Sequence, residues 1–160
     1  MRHLLSILLL GGVALALPNH SRATQEITTM QHAKGPFDVK LNTLAPYNTD
    51  DASMGRRSID KQFHGDLEGT SKGQMLTGGT PIKNSAGYVA IERVTGTLKG
   101  RKGSFILQHT GIMNRGAPSL TITIVPDSGT EQLEGLRGTM TIKIEGGKHA
   151  YELNYTLGTP

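Results

Sequence analysis

The sequence predicts an all-β protein, an eight-stranded antiparallel closed barrel. Two observations carry that expectation. From residue 35 onward, apolar and polar residues alternate with period two, and no convincing helical stripe survives. Turn-forming stretches cut this alternation into eight segments with mostly short connections. A sheet of that kind gains by closing on itself, because closure removes exposed strand edges.

The N-terminus reads differently. Arg2 and His3 precede an apolar run from Leu4 to Leu17, and small and polar residues follow as far as Ser21-Arg22-Ala23. This is the layout of a secretory signal peptide occupying residues 1–23. The run is shorter than the ~20 residues of a membrane span. The expected mature protein is therefore periplasmic or secreted, with no membrane attachment after cleavage. Loss of Arg2 and Arg22 lowers the formal net charge of +4 to +2. The remaining lysines and arginines are scattered among carboxylates, so no nucleic-acid footprint is present. With no Cys in the chain, disulfides, thiol catalysis and thiolate metal sites are excluded.

Residues 24–34 show no clear period and read as a flexible leader to a barrel domain spanning 35–160. Strands are expected near 35–42, 57–65, 66–78, 86–99, 103–113, 118–126, 136–145 and 148–157. Between the first two lies TLAPYNTDDASMGRR, a long polar loop. GGTPIKNSAG at 78–87 forms a second loop, and PDSGTEQLEG at 126–135 a third with room for one helical turn. Gly-x-Leu-x-Gly occurs at Gly65–Gly69 and Gly96–Gly100, and Gly135-Leu136-Arg137-Gly138 echoes it. Such glycines either relieve crowding where coiled strands bend or mark hairpin ends.

In the last hairpin, Gly146-Gly147 is a strong two-residue turn signal. It sets Ile144 opposite His149, Ile142 opposite Tyr151, Met140 opposite Leu153 and Gly138 opposite Tyr155. The apolar residues of both strands then share one face. In YVAIERVTGTLKGRKGSFILQHTG, at 88–111, the turn falls within GRKG. With Gly100-Arg101 as the loop, Glu92 faces His109; with a four-residue loop the two are diagonal neighbours. Either way both lie with Tyr88, Ala90, Val94, Leu98, Phe105, Leu107 and Met113. The other face carries Val89, Ile91, Ile106 and Ile112 among its polar residues.

A carboxylate alone in an apolar interior costs several kcal/mol, which a paired imidazole offsets. Glu92 and His109 are therefore either a buried pair that fixes register or the polar end of a pocket. Lys61 alternates with Ile59, Phe63 and Leu67, so it either points into the same space or, as a strand-end lysine, reaches solvent. Tyr88, Phe105, Tyr151 and Tyr155 complete the expected ligand-binding set, with core packing the alternative role of Tyr151 and Tyr155. Eight strands enclose either a filled core or one small ligand. Many glycines and few large aromatics point to unfilled volume. No phosphate-binding loop, nucleophile elbow or metal-binding histidine motif is present, and no cofactor or metal is expected. Arg115, in the tight connection Met113–Pro118, reads either as part of a solvated turn or as a residue that gates a barrel mouth or binds an anionic head group.

SIDKQFHGDLEGTSKGQML, SAGYVAIERVTGTLKGRKGSFILQHTGIMNRGAPSLTITIVPDSGT and LEGLRGTMTIKIEGGKHAYELNYTL resemble, in order and spacing, a bacterial family known only as a domain of unknown function. The resemblance implies an eight-stranded barrel similar to allene oxide cyclase, and it implies no catalytic residues. Three functions follow as expectations. The first is binding of a small, mostly apolar ligand in the barrel. The second is an isomerase or cyclase using Glu92, and the third a structural or self-associating module with a filled core.

Overall fold

The computed structural model describes residues 29–45 and 50–158. The expected signal peptide lies outside these residues. The strands are β1 (Gln31–Leu44), β2 (Met54–Phe63), β3 (Leu67–Gly79), β4 (Ala86–Leu98), β5 (Arg101–Asn114), β6 (Ala117–Ile124), β7 (Leu136–Glu145) and β8 (Lys148–Leu157). Each pairs antiparallel with the next, and β1 pairs with β8, so the sheet closes into an eight-stranded barrel. β1 starts at Gln31, four residues earlier than its alternation announces, because the edge of β8 offers Tyr155 and Asn154 as partners for Gln31 and His32.

Two hairpins test the register expectations. Gly146 and Gly147 both take positive φ, and β7 meets β8 with Ile142 opposite Tyr151 and Met140 opposite Leu153, as expected. The β4–β5 turn differs. Its two residues are Lys99 and Gly100, at φ 45° and 83°, and Arg101 already pairs with Leu98. Glu92 therefore sits opposite Leu107, and His109 opposite Ala90. The turn uses the first glycine of GRKG in its second position, where positive φ costs a glycine nothing. The inward faces survive this shift because it moves the pairing by two residues.

One end of the barrel is packed shut. Phe63, Leu67, Leu98, Phe105, Leu133 and Leu136 are all buried there. Part of that plug comes from the segment between β6 and β7. β6 covers β5 only from Leu107 outward, and the following loop takes over the rest of that edge. Val125 N–H donates to the Ile106 carbonyl (2.9 Å), Ile106 N–H to Ser128 Oγ (3.0 Å) and Ser104 N–H to Thr130 Oγ1 (2.9 Å). Lys102 N–H donates to Gln132 Oε1 at 2.8 Å. A 3-10 turn at Glu131–Leu133 then drops Leu133 into the core.

The other end, where the β1–β2, β3–β4, β5–β6 and β7–β8 connections meet, is looser. β6 and β7 share only two register pairs, Ile122–Met140 and Thr123–Thr139. Beyond these, toward the open end, the two strands run unpaired. On the outer surface Leu76, Val89, Ile91 and Ile112 remain exposed, which accounts for the apolar residues on the second face of the β4–β5 hairpin.

Gly69, Gly96 and Gly103 lie in one row across β3, β4 and β5. A methyl on Gly96 would press on the Glu68 carbonyl oxygen and come within 2.6 Å of Gly69 Cα. The first of the two readings of these glycines therefore holds at Gly69 and Gly96, which allow close strand approach within the sheet. Gly96→Ala is expected to destabilise the fold by about 1–3 kcal/mol or more, read as a lower urea midpoint at unchanged m-value. An unchanged midpoint would show that the sheet does not need that approach.

Candidate functional site

Four consecutive strands each contribute one polar side chain to the middle of the bore: Lys61 from β2, Ser71 from β3, Glu92 from β4 and His109 from β5. All four are buried, and Glu92 is 0% exposed. Glu92 Oε1 accepts from Lys61 Nζ at 2.5 Å and from His109 Nε2 at 2.8 Å. Its Oε2 accepts from Ser71 Oγ at 2.5 Å. The carboxylate crosses toward β2 because Gly73, its direct partner on β3, has no side chain; a Cβ there would fall 2.5 Å from Glu92 Cβ.

The protonation of this carboxylate follows from opposing effects. Burial alone raises its pKa. The hydrogen bond from His109, the charge and hydrogen bond of Lys61, and the hydrogen bond from Ser71 together outweigh burial, holding Glu92 at about 2 against an ordinary 4.5. It is thus ionised throughout the neutral range. Because Nε2 is the atom that donates to it, His109 keeps Nδ1 on the far side of its ring.

Lys61 also lies 5.3 Å from the Phe37 ring centroid and 5.7 Å from that of Phe63, so aromatic faces meet its ammonium away from Glu92. Above the cluster stands Tyr88, half-buried. Burial first, and the nearby Glu92 charge second, raise its pKa, so its hydroxyl keeps its proton. Its ring lies over Gly111: a methyl at Gly111 would overlap Cε1 and sit 2.6 Å from Cζ. Neither the Tyr88 hydroxyl nor His109 Nδ1 has a hydrogen-bond partner among the described residues.

Sequence reasoning placed Glu92, His109, Lys61 and Tyr88 together, and the structure does so too. Phe105, Tyr151 and Tyr155 stand elsewhere. Phe105 belongs to the closed end, and Tyr151 packs edge-on to Phe63 with centroids 5.5 Å apart. The Tyr151 hydroxyl accepts from Leu67 N–H (2.8 Å) and donates to the His64 carbonyl (3.2 Å), while that of Tyr155 donates to Gln31 Oε1 (3.0 Å). These hydroxyls tie strands together at the closed end, and none is free for a ligand. Ser71 went unnoticed. Its signal was its register: it alternates with Leu67 and sits directly opposite Lys61.

The bore changes character along its length. At the closed end, inward-facing residues are fully buried. Toward the open end the same faces show Leu41 at 43% exposure, Leu120 at 42% and Ile144 at 64%, with Val39, Met75 and Ile142 partly buried. The polar cluster lies at the boundary between the two halves.

Comparison with known proteins adds a family. The family described as "Protein of unknown function (DUF3224)" matches residues 33–155. The crystal structure of a protein of unknown function from the same family, from Shewanella oneidensis MR-1, shares 48% identity with this chain. It aligns over 82% of this chain and all of its own, with a TM-score of 0.78. No curated protein matches. Neither match concerns allene oxide cyclase, whose likeness stays an expectation drawn from the sequence.

Since the Glu92 pKa is lower folded than unfolded, its contribution to stability is present above about pH 4.5 and is lost as pH falls toward 2. Glu92→Gln leaves Lys61 without its counter-charge, and a loss of about 3–5 kcal/mol at pH 7 is expected. The variant should also lose part of the wild type's steepening between pH 5 and 2, each limit being approximate. Urea titrations across that range measure both effects. Parallel acid limbs in the two proteins would rule out this account of the carboxylate.

Proposed function

The chain belongs to the DUF3224 family, a family of unknown function, and we propose that the open half of its barrel binds a small, mostly apolar molecule. The expected signal peptide sets this role in the periplasm or outside the cell. The observation that carries the reading is the exposure gradient along the bore. Inward-facing side chains at the closed end are covered, whereas Leu41, Leu120 and Ile144 toward the other end face inward and remain open. Apolar side chains held by the sheet around a concave space form the usual lining of a small-molecule site.

The polar cluster forms the floor. Glu92 is surrounded by its donors and does not reach the open space, so its part is to position Lys61 and His109. Lys61 Nζ makes one hydrogen bond to a described side chain, and the Tyr88 hydroxyl has no partner among the described residues. These groups give the floor unspent hydrogen-bonding capacity next to an apolar wall.

The same geometry argues against acid–base catalysis by Glu92. A carboxylate with three donors and a pKa near 2 is a weak base and carries no proton to give at neutral pH. The closed end supports a structural contribution from half of the barrel, though not from the open half.

Two measurements test the proposal. Native mass spectrometry of protein purified from its own host should show a bound small molecule. Leu120→Trp and Ile142→Trp should each weaken binding of the neutral probe N-phenyl-1-naphthylamine by about tenfold, as bulk fills the bore. Ile91→Trp, on the outer surface, should leave probe binding unchanged. Equal binding by wild type and both bore variants would remove the cavity from consideration.

A further inference from the structure

Resting on this cavity, we infer that its ligand carries one anionic group, held at the rim by Arg57, on an apolar body that fills the bore. The charges on the inner face carry the argument. From the floor cluster to the open end, the inward-facing positions of the eight strands include two permanent cations, Lys61 and Arg57, and one carboxylate, Glu92. The imidazoles of His109 and His149 share that face. Lys61 and Glu92 cancel each other in a direct ion pair. Arg57 is left over. Its strand neighbours are Thr43 and Met75, both neutral, and it makes no ion pair or hydrogen bond with a described residue.

The acids around the open end are placed otherwise. Glu145 falls on the outward face of β7, Asp51 accepts from the backbone and side chain of Ser53 in the β1–β2 loop, and Asp50 beside it is engaged in an interaction of its own. Arg115, Lys83 and Lys148 add cations at that end. The Arg115 turn is fastened to the β3–β4 loop through Arg115 N–H to Ser85 Oγ and Gly116 N–H to the Asn84 carbonyl.

The two cations of the inner face are not equivalent as anion sites. An anion brought to the floor would meet Lys61 already neutralised and Glu92 close behind it, in surroundings where like charges repel strongly. At the rim, Arg57 has no competing carboxylate on its own face. It stays in water until the ligand arrives, and its planar fork suits a carboxylate. The apolar body then lies along Leu41, Met75, Leu120 and Ile142. Its inner tip meets the Tyr88 hydroxyl.

A matched series tests the inference: decanoate, decan-1-ol and decylamine, titrated calorimetrically below their aggregation concentrations. Decanoate is expected to bind about fivefold to tenfold more tightly than decan-1-ol at low ionic strength, with the advantage shrinking as salt is added. Decylamine should bind most weakly. Arg57→Gln should erase the carboxylate's advantage without changing decan-1-ol, and Arg57→Lys should keep part of it. Alcohol binding as tightly as acid, or an acid preference that survives Arg57→Gln, overturns the inference while leaving the cavity intact. If none of the three binds, and N-phenyl-1-naphthylamine is indifferent to the bore variants, cavity and inference fall together.

Discussion

The interior of this barrel is organised around one buried negative charge. An ionised carboxylate with no exposure to water is tolerated only when its lost hydration is replaced, and in Glu92 three side chains replace it. Each donor comes from a different strand, so the charge is stable only when β2, β3, β4 and β5 hold one particular register. A slip of a single residue would send one donor outward and leave the carboxylate unpaired. The usual cost of a buried ion pair is thereby tied to the choice of one strand register, in addition to what apolar packing specifies.

That arrangement explains why the barrel divides where it does. Below the cluster, aromatic and aliphatic side chains fill the bore, and the loop after β6 completes the closed end by bonding to β5 with side-chain oxygens. Above it, β3 gives up one inward side chain at Gly73, which makes way for Glu92, and Met75 beyond it is only partly buried. Tyr88 folds over Gly111. The sparse pairing of β6 with β7 loosens the same end. Rigidity and openness are thus assigned to opposite halves of one sheet, with the polar cluster as their common wall.

Much of this was legible in the chain. Alternation identified eight strands, and Gly146-Gly147 determined a hairpin register residue by residue. The β4–β5 register was not legible, because GRKG offers glycines at both ends and only the backbone shows which one takes positive φ. Faces survive a two-residue error and partners do not. Glu92 and His109 were therefore placed on the right side of the sheet with the wrong opposite residues. Tyr151 and Tyr155 were placed inward correctly, but parity does not say how far along the axis a side chain lies. Their depth emerges only from the stagger of β8 against β1 and from hydroxyls that end on the β2–β3 turn and on Gln31. Ser71 shows the converse. A small polar residue in a polar stretch gives no sign of burial until its strand partner is known.

The position of the charge also bears on what the barrel can do. A carboxylate meant to exchange protons needs a donor or acceptor site facing its substrate and a pKa near the working pH. Glu92 has neither, since its lone pairs are engaged from three sides and its donors hold it ionised. Such a group acts at one remove. It orders a lysine, an imidazole and a hydroxyl from three neighbouring strands, and it cancels the lysine's charge so that the floor is polar without being strongly cationic. A floor of that kind presents directed hydrogen bonds to whatever rests on it, and it leaves the selection of charge to the rim.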